Sequence, residues 1–430
     1  MLHLILNLLN RYKKFKYFFL SPLPYAIGSA SEQIFIAAKY AKLLNKKVII
    51  LKIRSFNYNI CNNTLFDSIV INKQKLKTKK ILNYILTKIL EIEFFTWRIF
   101  LIFLNDKLLK LNFHELSRFS NIGVPNLFET NNFTNKNIIF KRYQDIEKFN
   151  SIKESLDLSI SLKKKCKKIL SQFVHSRKDK IVCVHVRDGF YRNDFKRKTY
   201  RNSNIENYKK AINFLINKGY LVIRLGDKNC KKTKFKNKHF IDYPFSKFKS
   251  EDMDLYLIKI SKFYIATQSG IMDVAYMFNK PILTTNMCEL FTGFPRKKND
   301  RGIFKTIFSK TKKNPVSIFN YMKNPYKFHN PDNENSNFYF KENTENEIYL
   351  ATKEFEKNFK NKFKKKKSTA QKKFDKIHNN RYKDMFYERD DLQNSLINST
   401  DSLKMIRMFK ASSGTFCDSY LKKKYFNKKK

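Results

Sequence analysis

The sequence predicts an α/β protein built on a doubly wound parallel sheet, and three features lead to that reading. From Lys180 onward, short continuously apolar runs alternate with longer amphipathic windows. That is the pattern of strands buried on both faces and of crossover helices packed against them. Four of these runs stop abruptly at polar or glycine residues, in "HVRDGFYR", "RLGD", "IDYP" and "TQSG". Nearer the start, "SPLPYAIGSASEQIFIAAKYAKLLNKKVIILKI" passes from loop to helix to strand and suggests a second α/β layer.

The elements follow in order. In "MLHLILNLLNRYKKFKYFF", apolar Leu2, Ile5, Leu9 and Tyr12 precede Lys13, Lys14 and Lys16, the reverse of a secretory signal. Two readings are open for it: a basic amphipathic helix on a membrane surface, or a first helix packed on its own domain. Pro22 and Pro24 end that segment, a Gly-Ser-Ala-Ser loop carries Gly28, and a helix is expected from Glu32 to Leu44 with Ser31 as its cap. "KVIILKI" and "FDSIVIN" read as strands. Residues 75–150 read as Lys- and Leu-rich helices, with "FFTWRIFLIFL" around Trp97 a buried one, and 152–173 as a helical connector.

Then come a strand at "IVCVHVRD", a helix at "NIENYKKAINFLINKG" closed by Gly219, and a strand at "YLVIRLGD". "KHFIDYP" is a short strand, "SEDMDLYLIKISK" a helix, "FYIATQSG" a strand, "IMDVAYMFNK" a helix and "PILTTN" a strand. Beyond about residue 300 the regularity fades: "NPYKFHNPDNENSNFYFKENTENE" is loop-like, "EIYLATKEFEKNFKNKF" a helix, and 360–385 a solvated Lys-rich helix or linker.

With 430 residues, 42% hydrophobic and 15% aromatic, the chain can build two or three packed domains. Its formal charge of +51 raises a nucleic acid or an anionic membrane as partner. The lysines are spread over the whole chain, beside abundant Asn, Ile and Phe, which points to coding bias rather than a binding stripe. No module with interleaved aromatics and basic residues is found, so no specific nucleic acid is expected. Cys61, Cys166, Cys183, Cys230, Cys288 and Cys417 show no CxxC pair, which fits reduced thiols in a cytoplasmic protein, and Cys183 reads as a small core residue. No uncharged apolar run is long enough to span a bilayer.

The strand ends carry the chemistry. Arg187 can clamp phosphate oxygens in a planar, bidentate way. Ser269 and Gly270 stand directly before a helix, where backbone N–H groups and a hydroxyl can meet a phosphate, and Thr267 adds a second hydroxyl. Gly226 admits a close ligand, and Asp227 can accept from ribose hydroxyls or a base edge. His185 and Asp188 flank Arg187. The blander readings are an Arg187–Asp188 ion pair, a core His185, turn roles for Asp227 and Asp242, a capping role for Ser269, and helix-start acids at Glu251 and Asp252. The absence of GxxxxGK[ST] excludes a P-loop NTPase, and the absence of GxGxxG argues against a dinucleotide oxidoreductase.

"CVHVRDGFYR", "YRN", "NYKKAINFLINKGYLVIRLGD", "FIDYP" and "IATQSG" with "FNKP" together resemble a family of bacterial glycosyltransferases from surface-polysaccharide gene contexts, distantly similar to the protein O-fucosyltransferases. The resemblance is dense over residues 180–290 and extends to "PYAIGSASEQIFIAAKYAKLL" and to 346–357. It implies a GT-B fold: two Rossmann-like domains facing across a cleft, here 21–173 on the acceptor side and 174–345 on the donor side. A basic segment, 1–20, would precede them, and a helical C-terminal extension, 346–430, would follow.

The resemblance implies a donor pyrophosphate held by the Arg of an H-x-R motif, here His185-Val186-Arg187, and by "TQSG". It implies no metal, and no DxD stands in a loop suited to hold one. The expected partners are a nucleotide-diphosphate sugar, a glycan or lipid-linked acceptor and an anionic membrane surface, at the inner face of the cytoplasmic membrane. His185, Asp188 and Glu32 are open as the base for the acceptor hydroxyl. The first loop has the single glycine Gly28, so Gly28 and Ser29 are candidates for either substrate's side or for a simple turn. A basic polyanion-binding protein and a noncatalytic scaffold of the same fold are the alternatives.

Overall fold

A computed structural model of the chain describes residues 2–12, 14–43, 45–54, 59–73, 80–104, 106–107, 156–190, 199–288, 295–322, 336–364, 366–376 and 414–422. The chain divides into two compact units, Met1–Lys164 and Lys165–Lys430.

The first unit holds α1 (Leu2–Arg11), β1 (Tyr17–Leu20), α2 (Ile27–Leu43), β2 (Lys47–Ile50), α3 (Asn63–Asp67), β3 (Ile69–Ile71), α4 (Lys80–Leu104) and β4 (Leu156–Leu158). β1 pairs with β2 in parallel, and β3 with β4 antiparallel. β1 lies where the sequence showed only the end of a basic segment, and β4 where it showed a helical connector.

α1 is tied to this unit. The Asn10 amide donates to the Phe19 carbonyl and accepts from the Phe19 N–H, both at 2.7 Å, as a neighbouring strand would. The buried Lys46 ammonium donates to the Asn10 and Tyr12 carbonyls at the end of α1, at 2.5 and 3.0 Å. Leu6 is buried with Phe19, Ile49, Leu90 and Phe94. The packed reading of the N-terminal helix therefore holds for its inner face, while Ile5, Leu8 and Tyr12 stay exposed.

Three expectations in this unit are corrected. α2 begins at Ile27, so Gly28 and Ser29 lie in its first turn rather than in a loop. Ser31 is not its cap: the hydroxyl donates to the Ile27 carbonyl 2.7 Å away, one helical turn back. Ala-rich spacing carries the helix through the Gly-Ser pair, because Ala30, Ile34, Ala37, Ala38 and Ala41 are all buried on it. The stretch around Trp97 is not a buried helix either. Phe95, Trp97, Ile99, Phe100 and Phe103 on α4 are all exposed.

In the second unit the chain runs through α5 (Ile160–Phe173, which begins in the first unit), β5 (Ile181–His185), α6 (Lys209–Asn217), β6 (Leu221–Leu225) and β7 (Phe240–Asp242). It continues through α7 (Glu251–Ile260), β8 (Tyr264–Ala266), α8 (Gly270–Met277), β9 (Ile282–Met287), β10 (Arg301–Phe304), β11 (Thr306–Ser309) and β12 (Pro315–Val316). It ends with α9 (Ile318–Met322), β13 (Phe338–Lys341), α10 (Glu345–Lys360), β14 (Thr415–Phe416) and α11 (Asp418–Leu421).

Seven strands form one sheet in the order β14-β10-β9-β8-β5-β6-β7, and every pairing in it is parallel. Starting at β5, the chain winds outward through β6 and β7, then crosses to β8 and winds the other way through β9 and β10. This is the strand order of a Rossmann-like layer, and its switch point lies between β5 and β8.

Local chemistry sets the element ends. Ser250 caps α7, its hydroxyl accepting from the Met253 N–H at 3.3 Å, and Glu251, Asp252 and Asp254 fill the first turn. Gly219, at φ +88°, ends α6 in the left-handed conformation. Thr344 and Glu347 form a reciprocal capping box on α10.

The sequence missed structure after residue 300. β10 joins the large sheet, and β11 pairs with β12 and β13, the last of them inside the stretch read as loop. The Lys-rich stretch after 360 is not simply solvated. Phe374 is buried, with its ring 4.9 Å from that of Phe416, and the Gln371 side chain accepts from the Phe416 N–H at 2.8 Å. Asp242, read as a turn residue, ends β7 in an ion pair with the buried Arg224 at 3.1 Å.

Phe374→Ala is expected to cost about 3–5 kcal/mol, as for other aromatics deleted from a core. Phe245→Ala, at a side chain 40% exposed, should stay within about 0.5 kcal/mol. Urea denaturation of both variants checks this; equal midpoints would remove the 369–376 segment from the core.

Candidate functional site

The switch point of the second unit gathers most of the residues singled out at the strand ends. His185 is the last residue of β5, and Ala266 the last of β8. Past these ends the backbones diverge, and the groups that would have continued the ladder are bonded locally. The Thr267 N–H donates to the His185 carbonyl at 3.1 Å, and the Arg187 N–H donates to the Thr267 hydroxyl at 2.9 Å. Thr267 is fully buried, and its hydroxyl supports the Arg187 backbone.

Ser269 stands at the N-cap of α8 in extended conformation, yet its hydroxyl makes no bond to the helix. It lies 3.1 Å from His185 Nδ1 and 3.3 Å from the Thr267 carbonyl. The capping reading is therefore corrected: Ser269 bonds the end of β5 instead of the first-turn amides of α8. Those amides carry the positive end of the helix dipole beside a half-exposed Gly270.

His185 is an uncharged imidazole. Burial first, then the nearby charges of Arg224, Lys249 and Arg187, hold its pKa down from 6.5 to about 3. The Ser269 contact occupies Nδ1 and reserves Nε2 for any ligand.

The two aspartates play smaller parts. Asp188 accepts from the Phe190 N–H at 3.2 Å and from the Lys231 N–H at 2.7 Å, joining the loop after β5 to the loop after β6. Asp227 accepts from the Asn229 N–H at 3.0 Å, the turn role. Gly226 answers to packing: a Cβ there would meet Cys230 Sγ at 3.1 Å and Pro244 Cγ at 3.2 Å.

Gly28, Ser29 and Glu32 belong to α2 in the first unit, with Gly28 and Glu32 buried. Tyr191 and Arg192 of "GFYR" lie outside the described residues. Cys183 is a buried core residue, as read, its thiol pushed up to about 12 by burial.

Sequence reasoning assigned no role to three neighbours. Arg201 Nη2 donates to the Gln268 carbonyl at 3.0 Å, next to Thr267 and Ser269. Lys305, buried just past β10, donates to the Asn202 carbonyl at 2.5 Å, and burial lowers its pKa. Gly189 holds φ +85° against Asn202, where a Cβ would come within 2.5 Å of the amide nitrogen. The "YRN" triplet was the available signal for Arg201 and Asn202; Lys305 follows β10, a strand that the sequence did not reveal. Together these residues can accept a multiply charged anion: Arg187 and Arg201 half-exposed at one sheet edge, with a helix N-terminus beside them. Among the described residues no cluster of three or more His, Cys, Asp or Glu side chains suits a metal ion.

No protein-family model matches the chain, and neither a curated protein nor a solved structure matches it.

The depressed pKa of His185 makes a pH prediction. The unfolded chain binds a proton here below about pH 6.5 that the folded protein does not take up until about pH 3. Stability contributed by this group is therefore full above pH 6.5 and lost as pH falls toward 3. His185→Gln should show a shallower decline over that window than the parent protein in urea denaturation at stepped pH. Parallel curves would contradict a buried neutral imidazole.

Proposed function

We propose that the chain is a glycosyltransferase that takes its sugar from a nucleotide-diphosphate donor and passes it to a glycan or lipid-linked acceptor. One observation carries the reading: the H-x-R triplet and the "TQSG" turn, which resemble the donor-site motifs of such enzymes, meet at the switch point of a parallel sheet, the place where α/β layers bind nucleotides. The finer fold in this proposal is GT-B, with the second unit as the donor domain.

In the transfer, the C1–O bond to the diphosphate breaks, the sugar gains oxocarbenium character, and negative charge grows on the leaving oxygens. Arg187 and the first-turn amides of α8 supply fixed positive charge for that oxygen cluster, which is electrostatic stabilisation of the departing group. Thr267 holds the Arg187 backbone, and His185 offers Nε2 as a neutral hydrogen-bond partner. With a conjugate acid near pKa 3, His185 is too weak a base to take a hydroxyl proton. Asp188, with both carboxylate oxygens on backbone amides, acts as a loop tie. We assign the base to neither. No metal enters the scheme, since arginine and helix amides carry the charge that a metal would otherwise meet.

The test is a thermal-shift titration with GDP, UDP, CMP and their sugars, on the parent protein and on Arg187→Ala. A nucleotide at about 100 times its Kd should stabilise the parent by about 2.7 kcal/mol. Arg187→Ala should abolish that shift and, with the matching donor, lower turnover by about 10²–10³-fold. A folded protein that shifts with none of them yet binds oligonucleotides would favour the polyanion-binding alternative suggested by the charge of +51.

A further inference from the structure

Helix α4 is 25 residues long, about 38 Å at 1.5 Å per residue. Its inner face is short: Leu90 and Phe94 are buried against Leu6 of α1, with Leu86 packed beside them. The outer face is apolar along its length. Ile85, Ile89, Ile92, Phe95, Ile99 and Phe103 recur at three- and four-residue steps, and each is between 46% and 65% exposed. On α1, which packs on α4, Ile5 and Leu8 are exposed too, as is Tyr12 just after it.

The acidic groups of α4 do not sit on that stripe. Glu91 is half-buried, accepting from the Arg54 N–H at 3.0 Å and from Lys88 at 2.6 Å, and Glu93 is also half-buried. The flanks are basic. Lys14 and Lys16 are exposed after α1 and Lys73 before α4, while after α4 the exposed Lys107 stands next to an exposed Asp106.

We propose that this α1–α4 face docks on an anionic lipid bilayer surface, with the α4 stripe lying in the interface plane and the flanking lysines meeting headgroups. A long apolar stripe with amphipathic aromatics, Tyr84, Tyr12 and Trp97, and with cations at its borders matches an interfacial helix. No described helix is long and apolar enough to cross a membrane, so the contact is lateral. The surface lies in the first unit and does not depend on the sugar-transfer reading. If both hold, a lipid-linked acceptor is the natural substrate.

Trp97 is the only tryptophan in the chain and is 45% exposed; it follows Phe94 on the inner face and stacks at 5.6 Å on Phe100, which borders the stripe, so it reports through that contact. The full-length protein is mixed with phosphatidylcholine vesicles with and without phosphatidylglycerol, and sedimentation, Trp97 emission and acrylamide quenching are read. The expected result is acrylamide-accessible Trp97 in buffer, then a blue shift and protection with the anionic vesicles only. Ile92→Glu combined with Phe95→Glu, both at exposed positions, should keep the thermal midpoint and weaken vesicle binding by about tenfold or more.

Three results would overturn the proposal. Trp97 shielded from acrylamide before lipid is added would mean that the chain itself or a second copy covers the face; gel filtration over a concentration series separates the two. Vesicle binding undiminished in the double variant would assign it to charge alone. No binding to anionic vesicles would end it outright. None of these readouts involves nucleotide, so failure here leaves the donor-site test intact.

Discussion

Neighbouring strands β5 and β8 run in parallel and must part at their carboxyl ends, because one leads to β6 on one side and the other to β9 on the opposite side. Parting leaves backbone donors and acceptors without ladder partners in a place too buried for water to serve them all. The protein meets this with two contacts, Thr267 N–H to the His185 carbonyl and Arg187 N–H to the Thr267 hydroxyl, and a third, between side chains, joins Ser269 to His185 Nδ1. Each of them orients something else. Thr267 sets the backbone of Arg187, and Ser269, engaged with His185, leaves the first turn of α8 without its side-chain cap. The seam accounts for ionisable residues at the end of a buried strand: β5 and β8 part there, and the local bonding fixes the backbone of Arg187 close to the first turn of α8.

The same seam governs the electrostatics. Arg224 is 1% exposed and paired with Asp242, and Lys305 is buried on the Asn202 carbonyl. Breaking a pair of the Arg224–Asp242 kind typically costs about 3–5 kcal/mol, since the remaining charge has no solvent to turn to. Burial first, then the charges of Arg224, Lys249 and Arg187, keeps His185 neutral, so the ring can offer a lone pair or a proton to a ligand without a change of charge. Cations placed this way suit the anionic donor proposed above for local structural reasons, apart from the lysines distributed over the surface. Those surface lysines are screened over about 8 Å at physiological salt, whereas groups at the seam are partly shielded from ions.

The sheet was legible where both faces of its strands are covered. "IVCVH", "LVIRL" and "ILTTN" are short buried runs between amphipathic helices, and that grammar holds from Lys180 to Asn286. It failed where strands are brief or docked late: β10, β13 and β14 take their identity from neighbours far along the chain, which local periodicity does not encode. The site was half legible. Residue type and place singled out Arg187, His185 and Ser269, which the fold brings together, but only geometry shows Thr267 to be a buried support and Asp188 to be a tie between loops. Gly28 and Ser29 were misplaced because a Gly-Ser pair reads as a loop, while buried alanines on the following turns extend the helix through it. The α4 stripe was misread for the opposite reason: apolar sequence signals burial without saying what covers it.

Hydrogen–deuterium exchange of the full-length protein, with and without a nucleoside diphosphate that it binds, tests the seam most directly. Protection is expected in peptides covering 185–190 and 267–272, from both sides of the switch point together. Protection confined to the Lys-rich 361–376 region, with the seam unchanged, would show that the anion is drawn by surface charge and would contradict the assignment of the site.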